Sequence, residues 1–150
     1  MKKILFICHG NICRSPMAEM ILKHLVRERG LKGYVIDSAA VSREEIGNGV
    51  YPPAKRELVA HGVRCDAHRA RQIIAADYDA WDYLIGMDMS NIARMLRIFG
   101  GDPDGKVHRL LDFTGHPADV ADPWYSDRFD IAYRDILRGC EALLDHLERN

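Results

Sequence analysis

The sequence has no long hydrophobic run. Its first apolar stretch, Ile4 to Ile7, ends after four residues, where polar and glycine residues follow. Such a stretch is too short for the core of a signal peptide, and a membrane-spanning helix needs about 20 consecutive apolar residues. We therefore expect a cytoplasmic protein that is not inserted in a membrane.

Neither an excess of one charge nor a dense set of cysteines is present. The 150 residues include 21 lysines and arginines, 22 aspartates and glutamates, and four cysteines. The basic residues form no stripe, which argues against nucleic acid as a partner. Without a secretion signal, we expect the cysteines to be reduced. No low-complexity tract or internal repeat divides the chain, so we predict one domain over residues 1–150, and we expect a monomer.

Short apolar runs alternate with segments of helical periodicity. The predicted strands are Ile4 to Ile7, Tyr34 to Ala39, Asp82 to Met87 and Lys106 to Leu111. The predicted helices are Met17 to Arg29, Ala54 to His61, Ser90 to Phe99, and a final helix with an apolar stripe at Phe129, Tyr133, Ile136, Cys140, Leu143 and Leu147. This alternation predicts an α/β fold, with a central four-stranded parallel sheet, helices on both faces, and ligands at the carboxyl ends of the strands.

A loop with unusual chemistry follows the first predicted strand. Residues 8–15 read Cys-His-Gly-Asn-Ile-Cys-Arg-Ser. Gly10 and Asn11 tolerate positive φ, so this loop can turn its backbone N–H groups inward and hold a phosphate. Arg14 adds a planar, always charged fork that suits phosphoryl oxygens. In such surroundings the pKa of the Cys8 thiol would fall from about 8.5 into the range of about 3.5–7.5, which makes it a thiolate at neutral pH.

Other interpretations of this loop involve the same residues. Cys8 could be a small buried side chain, or half of a metal site with Cys13, but zinc needs four ligands and no second close pair of cysteines or histidines is present. A nucleotide P-loop needs Gly-Lys-Ser/Thr, which is absent. Ser15 could cap the helix that we expect Pro16 to open, or donate a hydrogen bond to the Cys8 sulfur, and both readings stay open.

A second loop precedes the last predicted helix and reads Ala-Asp-Pro-Trp-Tyr over residues 121–125. Pro123 favours an extended backbone at Asp122, whose carboxylate we expect at the same edge of the sheet as the first loop. A turn in which Asp122 only binds backbone amides is the alternative. Trp124 and Tyr125 would suit a phenyl ring as aromatic walls, although they could equally pack against the last helix.

The combination of the two loops resembles the low molecular weight protein tyrosine phosphatases, and the resemblance covers essentially the whole chain. Three further segments support it: Asp37-Ser38-Ala39, His68-Arg69-Ala70-Arg71-Gln72 and Met87-Asp88-Met89-Ser90-Asn91. The resemblance implies hydrolysis of phosphotyrosine in proteins, and of small aryl phosphates, through a cysteinyl-phosphate. It makes Cys8 the nucleophile, Arg14 the phosphate-binding arginine and Asp122 the general acid, with no metal and no cofactor.

The resemblance also implies roles for neighbouring residues. Those expected to hold the first loop open are Asn11, Ser15, Ser38 and His68. Those expected to contact the phosphate or the substrate are His9, Gly10, Asn11, Ile12, Cys13, Arg14, Ser15, Glu44, Trp124 and Tyr125. Cys13 matches a neighbouring cysteine that can form a reversible disulfide with the nucleophile.

Two positions bear on the substrate under this resemblance. Ile12 is apolar where the related arginine phosphatases have threonine, which favours phosphotyrosine over phosphoarginine. Glu44 stands where many members of the family have an aromatic residue on the pocket rim, which makes the usual aromatic clamp doubtful and favours basic residues around the phosphorylated side chain.

Two rival functions use a similar loop. A thioredoxin-coupled arsenate reductase needs two further thiols close together, whereas Cys65 and Cys140 stand far apart in the sequence. A phosphate-binding or phosphoryl-carrier module needs no general acid, so the loop containing Asp122 argues against it. Hydrolysis of p-nitrophenyl phosphate without added metal separates the phosphatase from both rivals.

Overall fold

The computed structural model describes residues 1–149 of the chain. Its strands are β1 (Lys2–Cys8), β2 (Tyr34–Ala40), β3 (Tyr83–Gly86) and β4 (Val107–Arg109). Its helices are α1 (Arg14–Glu28), α2 (Pro52–Ala60), α3 (Asp77–Ala80), α4 (Met89–Phe99), α5 (Pro123–Ser126) and α6 (Phe129–Arg149). A 3₁₀ turn over Leu110–Phe113 follows β4.

The four strands form one parallel sheet in the order β2-β1-β3-β4. The central strand β1 is apolar on both faces, as expected for a strand covered by helices on each side. Ile4 and Phe6 join the cluster that contains residues of α1, α2 and α6. Leu5 and Ile7 join the cluster on the other face, with residues of α3 and α4. This arrangement confirms the predicted α/β fold.

Helix α6 confirms its predicted apolar stripe. The residues of that stripe are all buried, namely Phe129, Tyr133, Ile136, Cys140, Leu143 and Leu147. Close packing against the 3₁₀ turn depends on Gly139, since an added Cβ there would stand 2.6 Å from Leu110 Cγ. Within residues 1–149, no helix combines the length and the apolar character needed to cross a membrane.

The start of α1 differs from the prediction. The helix begins at Arg14, with Cys13 as its N-cap and no side-chain cap, so the reading of Ser15 as the N-cap is wrong. Pro16 lies inside the first turn, where it is tolerated because the first four N–H groups of a helix have no partner within the helix.

The fourth strand is shorter than predicted. It pairs with β3 only from Val107 to Arg109, at the edge of the sheet. Leu110 and Leu111 then turn away into the 3₁₀ segment, where both are buried in the cluster that α6 covers. The short helices α3 and α5 are also absent from the prediction, because four residues are too few to establish a helical period.

Candidate active site

The loop after β1 surrounds a sulfur atom with hydrogen-bond donors. Cys8 is the last residue of β1 and is 3% exposed. The backbone N–H groups of Asn11 and Ser15 point at its Sγ atom, at 3.3 and 3.4 Å. The Ser15 hydroxyl lies 2.9 Å from the same sulfur. Two backbone N–H groups and one hydroxyl therefore converge on a single sulfur atom.

The Ser15 hydroxyl is oriented by a neighbouring amide. Asn11 Nδ2 donates to Ser15 Oγ at 2.8 Å, which leaves the hydroxyl proton available to another acceptor. The nearer acceptor is the Cys8 sulfur, because the Ala39 carbonyl oxygen is 3.4 Å away. Of the two readings of Ser15, the structure therefore favours the donor to the sulfur.

Only one of the two predicted positive φ angles occurs in the loop. Asn11 has φ 62°, whereas Gly10 is not among the residues with positive φ. Gly10 instead allows a close approach, since a Cβ at this position would stand 3.3 Å from Glu45 Cγ. A larger residue at position 10 would therefore push the Glu45 side chain by a few tenths of an ångström, and a left-handed backbone occurs only at position 11.

Arg14 is held in place from two sides. Its NH1 group donates to Asp88 Oδ2 and to the Val120 carbonyl oxygen, both at 2.8 Å. Its NH2 group lies 3.4 Å from Asp122 Oδ2. Burial lowers the pKa of the guanidinium, but the negative charges of Cys8, Asp122 and Asp88 outweigh this effect and raise the pKa above its ordinary value. Arg14 is therefore a fixed positive charge next to the sulfur.

The second loop brings a carboxylate to the same place. Asp122 has an extended backbone, and its Oδ1 atom accepts from the Trp124 N–H at 3.0 Å as the N-cap of α5. Its Oδ2 atom is the one near Arg14. The capping interaction and the presentation of a carboxylate towards Arg14 therefore occur together, because each uses a different oxygen.

Cys8, Arg14 and Asp122 line one pocket of about 340 Å³. The residues that form its wall are Cys8, His9, Gly10, Ile12, Cys13, Arg14, Glu44, Glu45, Asp122, Trp124 and Tyr125. Of the predicted contact residues, Asn11 and Ser15 are not in this wall; they are fully buried behind it. Glu45 also lines the wall and was not among the predicted contact residues.

The rim of the pocket is aromatic on one side and acidic on the other. Trp124 is 49% exposed and its ring lies 5.0 Å from that of Tyr51, while Tyr125 is 86% exposed. On the other side, Glu44 Oε2 lies 2.8 Å from His9 Nε2. The rim thus combines flat apolar surface with carboxylates at its mouth.

A buried network supports the loop from behind. His68 Nε2 donates to the Asn11 carbonyl oxygen at 2.8 Å, so this nitrogen has the proton. Glu19 accepts from Ser38 Oγ and from Lys23 Nζ, each at 2.6 Å, and its Oε1 is 4.0 Å from His68 Nδ1. Ser38 and His68 therefore lie behind the loop, and neither lines the pocket.

Two supporting carboxylates were missed in the sequence. Glu19 is a charged residue within the otherwise apolar run Met17 to Leu22, and that mismatch was the available signal. Asp88 is the N-cap of α4, but its second role towards Arg14 depends on a contact between residues far apart in the chain. Nothing in the local sequence reports that contact.

The remaining thiols differ in their surroundings. Cys13 lines the pocket and is 6% exposed; burial, with a further effect of the Cys8 charge, raises the pKa of its thiol to about 12. Cys140 is fully buried and Cys65 is partly buried. Across residues 1–149, no group of three or more His, Cys, Asp or Glu side chains is arranged to bind a metal ion.

Comparison with known proteins identifies the family. The sequence profile described as "Low molecular weight phosphotyrosine protein phosphatase" matches residues 3–150. The chain belongs to this family of phosphatases. Its members are enzymes, and the resemblance that the two loops indicated is confirmed.

Individual phosphatases of the family match along nearly their whole length. The low molecular weight protein-tyrosine-phosphatase YfkJ of Bacillus subtilis is 38% identical over 152 residues, which span 99% of this chain and 97% of YfkJ. The crystal structure of YfkJ superposes with a TM-score of 0.95, covering 99% of this chain and 96% of the other. The phosphatase of Sus scrofa is 35% identical over 96% of this chain and 94% of its own.

One similar structure has a different specificity in its description. The crystal structure described as "DARP, drosophila arginine phosphatase" has a TM-score of 0.87 and 35% identity, covering 98% of each chain. The identity is within a few per cent of that to the tyrosine phosphatases above. Similarity over the whole chain therefore does not distinguish phosphotyrosine from phosphoarginine as the substrate. The distinction has to come from the residues of the pocket.

Proposed function

We propose that this phosphatase hydrolyses phosphotyrosine in proteins through a phosphorylated Cys8. The observation that carries the proposal is the convergence of three donors on the Cys8 sulfur in a pocket that also contains Arg14 and Asp122. A nucleophile, a fixed cation and a proton donor are the groups that transfer of a phosphoryl group from a phenol requires.

The first step forms the bond between sulfur and phosphorus and breaks the bond between phosphorus and the phenolic oxygen. Asp122, in its protonated form, gives its proton to the departing oxygen. In the second step Asp122 takes a proton from water, whose oxygen attacks phosphorus and displaces the Cys8 sulfur. The products are the phenol and inorganic phosphate, and the thiolate is restored.

The loop amides and Arg14 hold the phosphoryl oxygens through both steps. Arg14 is already fixed by Asp88 and the Val120 carbonyl, so no large reorganisation is needed when phosphate enters. Preorganised donors of this kind are worth about 2.7–4 kcal/mol each in comparable oxyanion sites.

The pocket wall favours a phenyl ring. Ile12, Trp124 and Tyr125 all line it and present apolar or aromatic surface. Ile12 has no side-chain group that could hydrogen-bond a guanidinium, so burying phosphoarginine against it would leave polar groups unpaired. We therefore rank phosphotyrosine above phosphoarginine.

The acidic rim favours cationic residues next to the phosphorylated side chain. Glu44 and Glu45 lie at the pocket, and Arg14 is the one lysine or arginine among the residues of its wall. Charges at the edge of an interface act mainly on association and are weakened by salt. Peptides with lysine beside phosphotyrosine should therefore be preferred at low ionic strength.

Hydrolysis of p-nitrophenyl phosphate in the presence of a metal chelator tests the proposal. We expect turnover by the wild type and a loss of at least about 10³-fold in Cys8→Ser, because a serine hydroxyl is not ionised at neutral pH. Cys65→Ser is the matched control, since Cys65 is a half-buried thiol outside the pocket, and it should retain wild-type rates. Full activity in Cys8→Ser would refute the mechanism.

A panel of peptides with phosphotyrosine, phosphoserine or phosphoarginine tests the substrate. We expect the highest kcat/KM for phosphotyrosine, and a loss of the preference for flanking lysine in Glu44→Gln. Faster hydrolysis of phosphoarginine would overturn the argument from Ile12. The cytoplasmic location and the monomeric state stay predictions, to be checked by cell fractionation and analytical ultracentrifugation.

A further inference from the structure

The segment that leads to Asp122 is loosely held over its first half. Residues 115–118, between the 3₁₀ turn and the second loop, are all exposed. The hydrogen bond described for this stretch is local and runs from the His116 N–H to Thr114 Oγ1, on the residue just before it. On the side of Asp122 that precedes α5, the first anchors of the chain therefore lie after this stretch.

Asp119 is the first anchor after the loose stretch. Its Oδ1 atom accepts from Arg109 NH1 at 2.9 Å and from the Met89 N–H at 3.1 Å. Arg109 ends β4, its side chain is only 17% exposed, and its Nε donates to Asp112 at 2.8 Å. The Arg109 guanidinium is thus held by Asp112 and Asp119, at the end of a strand of the sheet.

The same carboxylate connects to the residues that hold Arg14. Met89 is the first residue of α4, and the preceding Asp88 is both the N-cap of that helix and a partner of Arg14. The next residue along the segment, Val120, donates its N–H to the Met87 carbonyl and accepts from Arg14. Asp119 therefore ties the loop of Asp122 to the frame that fixes the phosphate-binding arginine.

The geometry points to Asp119 as a positioning residue for Asp122: its contacts to Arg109 and to the start of α4 set where the acid stands relative to the phosphate site. This inference rests on the proposed role of Asp122. Asp119 does not line the pocket, so it acts only through the loop. Two carboxylates beside Arg109 also raise the pKa of its guanidinium, which keeps the charge of this anchor constant with pH.

The variant Asp119→Ala tests the inference with two substrates. Phenyl phosphate has a poorer leaving group than p-nitrophenyl phosphate and depends more on protonation by the acid. Because small displacements of a catalytic group can cost up to about 10²-fold, we expect kcat/KM, which reports the step that releases the phenol, to fall about tenfold on phenyl phosphate and less than about threefold on p-nitrophenyl phosphate. The inhibition constant of inorganic phosphate should change less than about twofold, because Arg14 keeps its other contacts.

Two further variants separate positioning from a loss of stability. Asp119→Asn keeps an oxygen acceptor for both donors and should restore most of the rate on phenyl phosphate. Asp145→Asn removes an exposed ion pair with Arg29 elsewhere on the surface and should leave both substrates unaffected. If the variant only contained less folded protein, its rates on phenyl phosphate and on p-nitrophenyl phosphate would fall by the same factor. The ratio of these two rates would then equal that of the wild type.

A double-mutant cycle between positions 119 and 122 tests whether Asp119 acts through Asp122. In the Asp122→Asn background, Asp119→Ala should cause no further loss on phenyl phosphate, because the acid is already absent. An equal loss in both backgrounds, or an unchanged ratio of substrates in an active enzyme, would overturn the inference. A wild type without phosphatase activity would instead refute the proposed function.

Discussion

Asp122 divides its two oxygens between structure and chemistry. One oxygen caps α5 through the Trp124 N–H, and the other faces Arg14 in the pocket. A protonated carboxyl group can keep the capping bond on one oxygen while the other holds a proton. The same side chain can therefore hold the loop in place and act on the leaving group.

Replacing Asp122 by alanine should slow catalysis according to the leaving group. We expect Asp122→Ala to lower kcat/KM by about 10²–10⁴-fold for phenyl phosphate, the usual contribution of general acid catalysis, and by less for aryl phosphates with more acidic phenols. A series of substituted phenyl phosphates measures this dependence. Equal rates in variant and wild type would remove Asp122 from the mechanism.

Oxidation of Cys8 should be reversible because Cys13 lines the same pocket. Peroxide converts a thiolate to a sulfenic acid, and a second thiol that attacks it forms a disulfide and releases water. Burial and then the negative charge of Cys8 hold the pKa of Cys13 at about 12, and oxidation of Cys8 removes the second of these effects. The disulfide should therefore form slowly, and only after the sulfenic acid.

Activity before and after addition of a thiol reductant checks this prediction. Wild type should regain its activity after peroxide, whereas Cys13→Ser should regain about tenfold less. Mass spectrometry that finds only sulfonic acid at Cys8 of the wild type would contradict a protective role of Cys13.

Helix α4 stabilises the site through its first turn. Asp88 Oδ1 accepts from the Asn91 N–H at 2.7 Å, and Asn91 Oδ1 accepts from the backbone N–H groups of Met87 and Asp88. Since Asp88 Oδ2 binds Arg14, the cap of this helix is also part of the phosphate site. Stability and phosphate binding are therefore linked at one side chain.

Two substitutions at position 88 should separate these roles. Asp88→Ala removes the cap and should lower the free energy of unfolding by about 0.5–2 kcal/mol, with weaker inhibition by phosphate. Asp88→Asn keeps a capping oxygen, so it should retain most of the stability and still weaken phosphate inhibition, because Arg14 loses a charged partner. Urea unfolding and the phosphate inhibition constant measure the two effects. Equal stability losses in both variants would contradict this separation.

Across the molecule, the edge strand β4 contains a partly buried histidine, His108. Burial lowers the pKa of His108 below its ordinary value of 6.5, and the neighbouring His146 acts in the same direction, while Asp102 and Asp112 oppose it. The ring lies among aromatic side chains, 5.9 Å from Tyr83 and 5.3 Å from Phe113. The folded state therefore favours the neutral imidazole.

This preference predicts a dependence of stability on pH. Below a pH of about 6.5 the unfolded chain binds a proton at His108, whereas the folded chain binds it only at lower pH. The contribution of His108 to the free energy of unfolding is therefore fully present above a pH of about 6.5 and is lost as the pH falls through the lower, folded pKa. His108→Phe should reduce the decline of the unfolding free energy between about pH 7 and 5, by at most about 1.4 kcal/mol per pH unit. Urea titrations at several pH values check it, and identical slopes in variant and wild type would refute it.

Several elements could be predicted because their signals are local. The stripe of α6 repeats every three or four residues, and Gly100, with φ 77°, ends α4 where the sequence indicated. The boundaries of β4 could not be found in this way, because Leu110 and Leu111 are apolar in either conformation. Only their packing under α6 decides that they leave the sheet.

The nucleophile loop was predictable because its functional residues lie close together in the sequence. They all fall within residues 8–15, so the correct residue types at the correct spacing are enough to bring them together. The tertiary structure decided which distant groups meet them. Glu19, Asp88 and Asp119 serve the site through partners on other elements. The pairing of these carboxylates with their partners depends on strand order and helix packing. Both are determined by the total apolar surface that folding buries, so they cannot be deduced from any single polar residue.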